Sequence, residues 1–154
     1  PQRFDEVAEL LQQQGLRSVR RSVAMPAADT QVWLGDSMGE MAAYFTLADL
    51  AFIGGSLLPL GGQNLIEAAA CDCPVVVGPH TFNFKQATED AIAAGAAIRV
   101  DSPEMLAATV NRIFGQKTKL AEMRNAAGLF ARAHQGAAGR MLGLIARWMD
   151  PAAR

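Results

Sequence analysis

GGSLLPLGGQNLIEAAACDCPVVVGPHTFNF, running from Gly54 to Phe84, places two glycine-rich turns and a valine-rich strand around one short helix. Gly54 and Gly55 follow Leu50 to Ile53, an apolar run that reads as a buried strand, and Gly61 and Gly62 stand directly before a helix expected over Asn64 to Cys71. Glycine lets the backbone approach a ligand without a side chain in the way. A helix start carries about half a positive charge and unpaired N–H donors, so the stretch reads as a cradle for one phosphate, its first turn open to an anion. The competing reading is that the glycines serve only tight turns. Neither a GxGxxG fingerprint nor a Walker lysine motif is present, so generic NAD or ATP binding is not supported.

Outward from this stretch the chain alternates strands and helices. Phe4, Val7, Leu10 and Leu11 recur at helical spacing and Gly15 follows as a C-terminal cap, which predicts a helix over residues 3 to 14. Val19 to Ala24 is a weaker strand, Gln31 to Leu34 a short β-favouring run, and Ser37 with Glu40 matches a capping box that opens a helix through Ala48. After the glycine turns come a strand at Pro74 to Val77, a helix from Phe84 to Ala94 closed by Gly95, and a strand at Ala97 to Val100. Ser102 and Pro103 then cap a helix through Phe114 with Leu106, Val110 and Ile113 inward. Leu120, Met123, Ala127 and Phe130 form one further helical stripe, and Met141, Leu144, Ile145 and Trp148 another, with a possible hinge at Gly136 to Gly139. The pattern implies a Rossmann-like α/β domain over residues 1 to 154: a parallel sheet covered by helices on both faces, with ligands beyond the carboxyl ends of the strands.

Composition narrows the function classes. In 154 residues, 51% hydrophobic and 19% charged, 14 basic side chains face 15 acidic ones, so the chain lacks the positive field that draws proteins to nucleic acid. Cys71 and Cys73 lie too close together to brace a scaffold and lack further zinc ligands, so they read as packing residues in a reducing, cytosolic setting. Leu47 to Leu60 is interrupted by Asp49, two glycines and Pro59, and falls short of the roughly 20 apolar residues that span a bilayer, so a soluble chain is expected. A start at Pro1 that moves straight into a helical pattern reads as a piece of a longer protein.

Several polar residues invite two readings each. Glu67, three residues after Asn64, can close the helix cap or accept hydrogen bonds from both hydroxyls of a ribose. Glu40 faces the same choice and, with Ser37, favours the cap. His80, in the loop beyond the Pro74 to Val77 strand, can meet a substrate or simply bond the loop, and Asn83 with Gln86 can cap the next helix. His134 reads as a surface residue that compensates a helix dipole. Arg140 and Arg147 oppose the last apolar stripe, so that helix can lie on an anionic membrane, although core packing is the stronger reading. Ser56 and His80 have no acid partner in sequence, which disfavours a hydrolase triad.

GDSMGEM at 35 to 41, LADLAFIGGSLLPLGGQNLIEAAA at 47 to 70 and PVVVGPHTFNF at 74 to 84, in this order, resemble the 3-deoxy-D-manno-octulosonic acid (Kdo) transferases of lipopolysaccharide synthesis. The resemblance implies the C-terminal, donor-binding half of a GT-B glycosyltransferase that moves Kdo from CMP-Kdo to a lipid A precursor. The reaction would run at the cytoplasmic face of a bacterial inner membrane, without a bound cofactor or metal. By this analogy Gly54, Gly55 and Ser56 with Gly61, Gly62, Gln63 and Asn64 would hold the CMP phosphate, and Glu67 the ribose. Met38, Gly39 and Glu40 would lie beside the nucleotide, and His80, Thr81 and Asn83 near the transferred sugar. The family commonly reads GGHNPLE where this chain has GGQNLIE, so Gln63 replaces a histidine, losing a possible charge contact, and Leu65 replaces a proline. The general base, the acceptor site and a basic segment that steadies the leaving phosphate would lie outside this chain. No catalytic residue is therefore assigned here, and the isolated domain is expected to be inactive and to bind CMP weakly. Two other readings are a GT-B domain for another nucleotide sugar and a non-catalytic binding module.

Overall fold

A computed structural model describes residues 3–134 of the chain. The apolar stripe at 141 to 148, its two arginines and the glycine hinge lie outside the described residues. The chain divides into two compact units, one ending at Met41 and the other beginning at Ala42.

In the first unit, α1 (Phe4–Gln13) ends as the glycine signal predicts, with Gly15 in the left-handed region at φ 67°. Strands β1 (Ser18–Arg20) and β2 (Val32–Leu34) pair in parallel, with Val19 opposite Trp33. The expected strand to Ala24 stops at Arg20, because the N–H groups of Val23 and Ala24 turn back to the Arg20 carbonyl, both at 3.1 Å. The Asp36 carboxylate accepts from both the N–H (2.9 Å) and the hydroxyl (2.6 Å) of Ser22, tying this turn to the end of β2.

α2 (Met41–Leu47) starts after Glu40, so the expected capping box is not where this helix begins. The Ser37 hydroxyl instead donates to the Glu40 carboxylate, which also accepts from Arg21 at 3.1 Å. Gly39, at φ 79°, supplies a left-handed turn that a helix running from Ser37 would not tolerate.

The second unit holds a three-stranded parallel sheet in the order β3 (Ala51–Phe52), β4 (Val75–Val77), β5 (Ala97–Arg99). Its connections are α3 (Leu65–Ala70), a 3₁₀ turn at Phe82–Phe84 and α4 (Lys85–Ala93); α5 (Pro103–Phe114) and α6 (Lys117–His134) follow. The single continuous sheet read from the alternation is thus two separate ladders among the described residues. Strand periodicity marks which residues extend but not which strands pair.

Valine fills β4 because this central strand is buried on both faces. Val75 and Val77 pack with Leu65 and Ala68 of α3, Ala91 of α4 and Ala127 and Phe130 of α6. Val76 points the other way, toward Ile113 of α5 and Met123 of α6. One helix, α6, therefore contributes to both layers: the expected helical stripe is inward-facing, with Leu120 and Met123 in one layer and Ala127 and Phe130 in the other. Ser102 caps α5 as expected, its hydroxyl accepting from the Met105 N–H at 3.2 Å. Cys73 is buried and burial pushes its thiol pKa up, in keeping with a packing role.

Candidate functional site

Two loops meet beyond the carboxyl ends of β3 and β4. The first closes on itself where the Gly62 N–H donates to the Gly55 carbonyl at 3.2 Å. Gly61 and Gly62 are consecutive left-handed residues, at φ 89° and 72°, a pair that only glycine adopts at little cost. Both are buried, whereas Gly54 is exposed with open space above it.

Ser56 is fully buried, and its hydroxyl bridges the loops, donating to the Ile53 carbonyl and accepting from the Gly78 N–H at 2.8 Å. Its carbonyl accepts from the His80 N–H at 2.9 Å. The hydroxyl therefore builds the loop pair from inside. Gly78 has to be glycine because a Cβ there would lie under 3.0 Å from the Ser56 carbonyl and the Leu57 nitrogen.

Asn83 locks the other end. Its N–H donates to the Gly61 carbonyl at 3.2 Å, and its side-chain amide reaches the carbonyls of Leu60 (3.3 Å) and Gly62 (3.4 Å). The expected cap by Asn83 and Gln86 does not form: α4 has no side-chain cap, and Gln86 bonds Asp90 at 2.9 Å.

The start of α3 is less open than the sequence suggests. The Asn64 side chain accepts from the Ile66 N–H at 3.1 Å and donates to Glu67 at 3.0 Å. Asn64 is thus the N-cap, and Glu67, exposed, bonds the cap side chain rather than the backbone. Gln63 is exposed on the loop, while Leu65, at the first helical position, is buried in the core. Leu65 sits where proline is also well tolerated, and leucine adds apolar packing there.

His80 is half-buried and Thr81 buried, and with Phe82 they line an open pocket of about 310 Å³ whose other polar walls are Lys85, Glu89 and Arg99. Glu89 binds the Arg99 guanidinium through two nitrogens, at 2.8 and 3.4 Å. The bond to Arg99 holds the Glu89 carboxyl below its usual range. The sequence reading passed over these three residues, although Arg99 ends β5, at the sheet edge where ligands bind.

Met38, Gly39 and Glu40 belong to the first unit, and the remaining candidate residues to the second. Met38 and Gly39 are exposed. His134 is half-buried rather than a plain surface residue: its ring lies 4.2 Å from that of Phe130, and one ring nitrogen is 2.9 Å from the Phe130 carbonyl. Among the described residues no acidic, histidine and cysteine groups cluster as a metal site would require, and no helix is long and apolar enough to cross a membrane.

The chain is similar to several known proteins. A 3-deoxy-D-manno-octulosonic acid transferase of Bordetella pertussis is 46% identical over 151 residues, covering 97% of this chain and 35% of that protein. A protein of the same name from Haemophilus influenzae is 35% identical over 152 residues, covering 97% of this chain and 36% of that protein. This chain therefore spans about a third of the length of these curated relatives. The crystal structure of the C-terminal CMP-Kdo binding domain of WaaA from Acinetobacter baumannii superposes with a TM-score of 0.80 at 33% identity, covering 84% of this chain and 68% of that one. The family model for glycosyl transferases group 1 matches residues 20–130, and with a GT-B-like fold the chain belongs to that family.

Proposed function

We propose that this chain is the donor half of a Kdo transferase, holding CMP-Kdo while a lipid A precursor is supplied from the part of the enzyme this chain does not span. The observation that carries the reading is the pair of loops at 54–64 and 78–83, braced by Ser56 and Asn83 in a fold shared with a CMP-Kdo binding domain. The backbone of Gly54, Gly55, Gly61 and Gly62 with Gln63 and Asn64 receives the phosphate, and Ser56 sets the loop spacing. Glu67 takes the ribose hydroxyls with its exposed carboxylate, and Met38, Gly39 and Glu40 attend the nucleotide. His80, Thr81 and Asn83 border the sugar.

Transfer needs a base for the acceptor hydroxyl and positive charge at the departing phosphate. We assign both to the missing portion, so the chain alone is inactive and binds CMP weakly. The full enzyme works at the cytoplasmic face of the inner membrane, where its lipid acceptor resides. Incubating the full-length protein with CMP-Kdo and a lipid A precursor should yield a Kdo-bearing product. Activity with UDP or GDP sugars alone would identify another GT-B specificity, and no transfer with any donor would leave a binding module.

A further inference from the structure

The pocket beside His80 carries an unbalanced charge. Lys85 and Arg99 supply two cations and Glu89 one carboxylate, which leaves one positive charge before any proton on His80. Glu89 is already engaged with two nitrogens of Arg99, whereas Lys85 is exposed and in no ion pair with a described residue. The Arg99 Nε is buried without a hydrogen-bond partner among the described residues. At about 310 Å³ this cationic recess lies at the small end of the ~300–1,000 Å³ range of small-ligand pockets.

Its position is specific. The 78–83 loop that forms one wall is fastened to the glycine loop by the Ser56–His80, Ser56–Gly78 and Asn83–Gly61 hydrogen bonds. The glycine loop and the wall of the recess are thus held side by side, so a ligand whose phosphate lies on the glycine loop can extend toward the recess. In an octulosonic acid the carboxylate is carried on the carbon adjacent to the keto carbon, and that keto carbon is the one joined to phosphate in the activated sugar. The acid group thus stays one bond away from the phosphate-bearing centre.

We propose that Lys85 and Arg99 receive the carboxylate of the donor sugar, with Glu89 positioning the Arg99 guanidinium. Such a site favours an acidic sugar over a neutral one, because only the carboxylate gains charge-assisted hydrogen bonds from the two cations. The inference rests on the reading that the chain holds CMP-Kdo.

The test uses the full-length transferase carrying this chain, with Lys85→Met and the double variant Glu89→Gln/Arg99→Gln, which avoids stranding one charge of the pair. Initial rates give KM for CMP-Kdo, and inhibition by CMP, which lacks the sugar, gives Ki. KM should rise by about tenfold or more, the loss of one charge-assisted hydrogen bond, while Ki for CMP stays within about twofold. Lys85→Arg should restore most of the KM. Unchanged KM in both variants, or an equal loss for CMP and CMP-Kdo, would overturn this assignment alone. A wild-type enzyme that does not use CMP-Kdo would overturn it together with the function proposed above.

Discussion

Replacing Gly78 by alanine tests whether the two loops are interlocked as tightly as their hydrogen bonds suggest. Gly78 does not occupy the left-handed region, so alanine meets no intrinsic backbone penalty and the whole effect is contact. Its Cβ would fall under 3.0 Å from the carbonyl carbon and oxygen of Ser56 and from the Leu57 nitrogen. These are main-chain atoms that no rotamer change can move aside. Inserting a methyl group into such a contact costs about 1–3 kcal/mol. Pushing the 56–57 segment away also stretches the 2.8 Å bond from the Gly78 N–H to the buried Ser56 hydroxyl, worth about another 1 kcal/mol. A total near 2–4 kcal/mol corresponds to a fall of about 1–2 M in the urea midpoint. Far-UV circular dichroism during urea titration reads this directly. Gly54→Ala is the matched control: nothing lies within 4 Å of its Cβ, so it should shift stability by no more than about 0.5 kcal/mol. If Gly78→Ala unfolds at the same urea concentration as the control, the close approach of the loops is not what the structure implies.

Other expectations follow from single contacts. Asn64→Ala removes the α3 cap and should cost about 1 kcal/mol in the same titration, with Asn64→Ser recovering most of it. Asp72 is a non-glycine residue at φ 54°, and its carboxylate occupies the space a Gly128 side chain would need. Gly128→Ala should therefore gain less than the usual helix-interior benefit while Asp72 is present and up to about 1 kcal/mol in an Asp72→Gly background, a non-additivity that a double-mutant cycle of thermal melts would register. Hydrogen bonds from Ser22 hold the Asp36 carboxyl below its usual range. Because the folded pKa is the lower one, that stability is complete above the unfolded carboxylate value near ~4 and is lost as pH falls through the folded value. Asp36→Asn should accordingly flatten the acid limb of a stability–pH profile below about pH 4 while lowering stability at neutral pH.

Much of the local structure was legible because its causes are local. The apolar spacing of Leu120, Met123, Ala127 and Phe130, the Ser102–Pro103 start of α5 and the glycine that ends α1 each specify their element from a few neighbouring residues. The capping box at Ser37 misled for the complementary reason. Arg21, 19 residues away, draws Glu40 toward itself, and the left-handed Gly39 delays the helix to Met41.

By itself, the sequence determined the order of strands and helices, the glycines at the sheet edge and the motifs that mark the family, since these depend on residue type and spacing along the chain. Tertiary structure alone decided that the Ser56 hydroxyl faces inward, that Asn83 clasps the glycine loop, and that Arg99 meets Glu89 and Lys85 around one recess. Each of those outcomes joins residues 10 to 23 positions apart. Such partners are chosen by how strands pair and helices pack, which no local pattern of residues encodes.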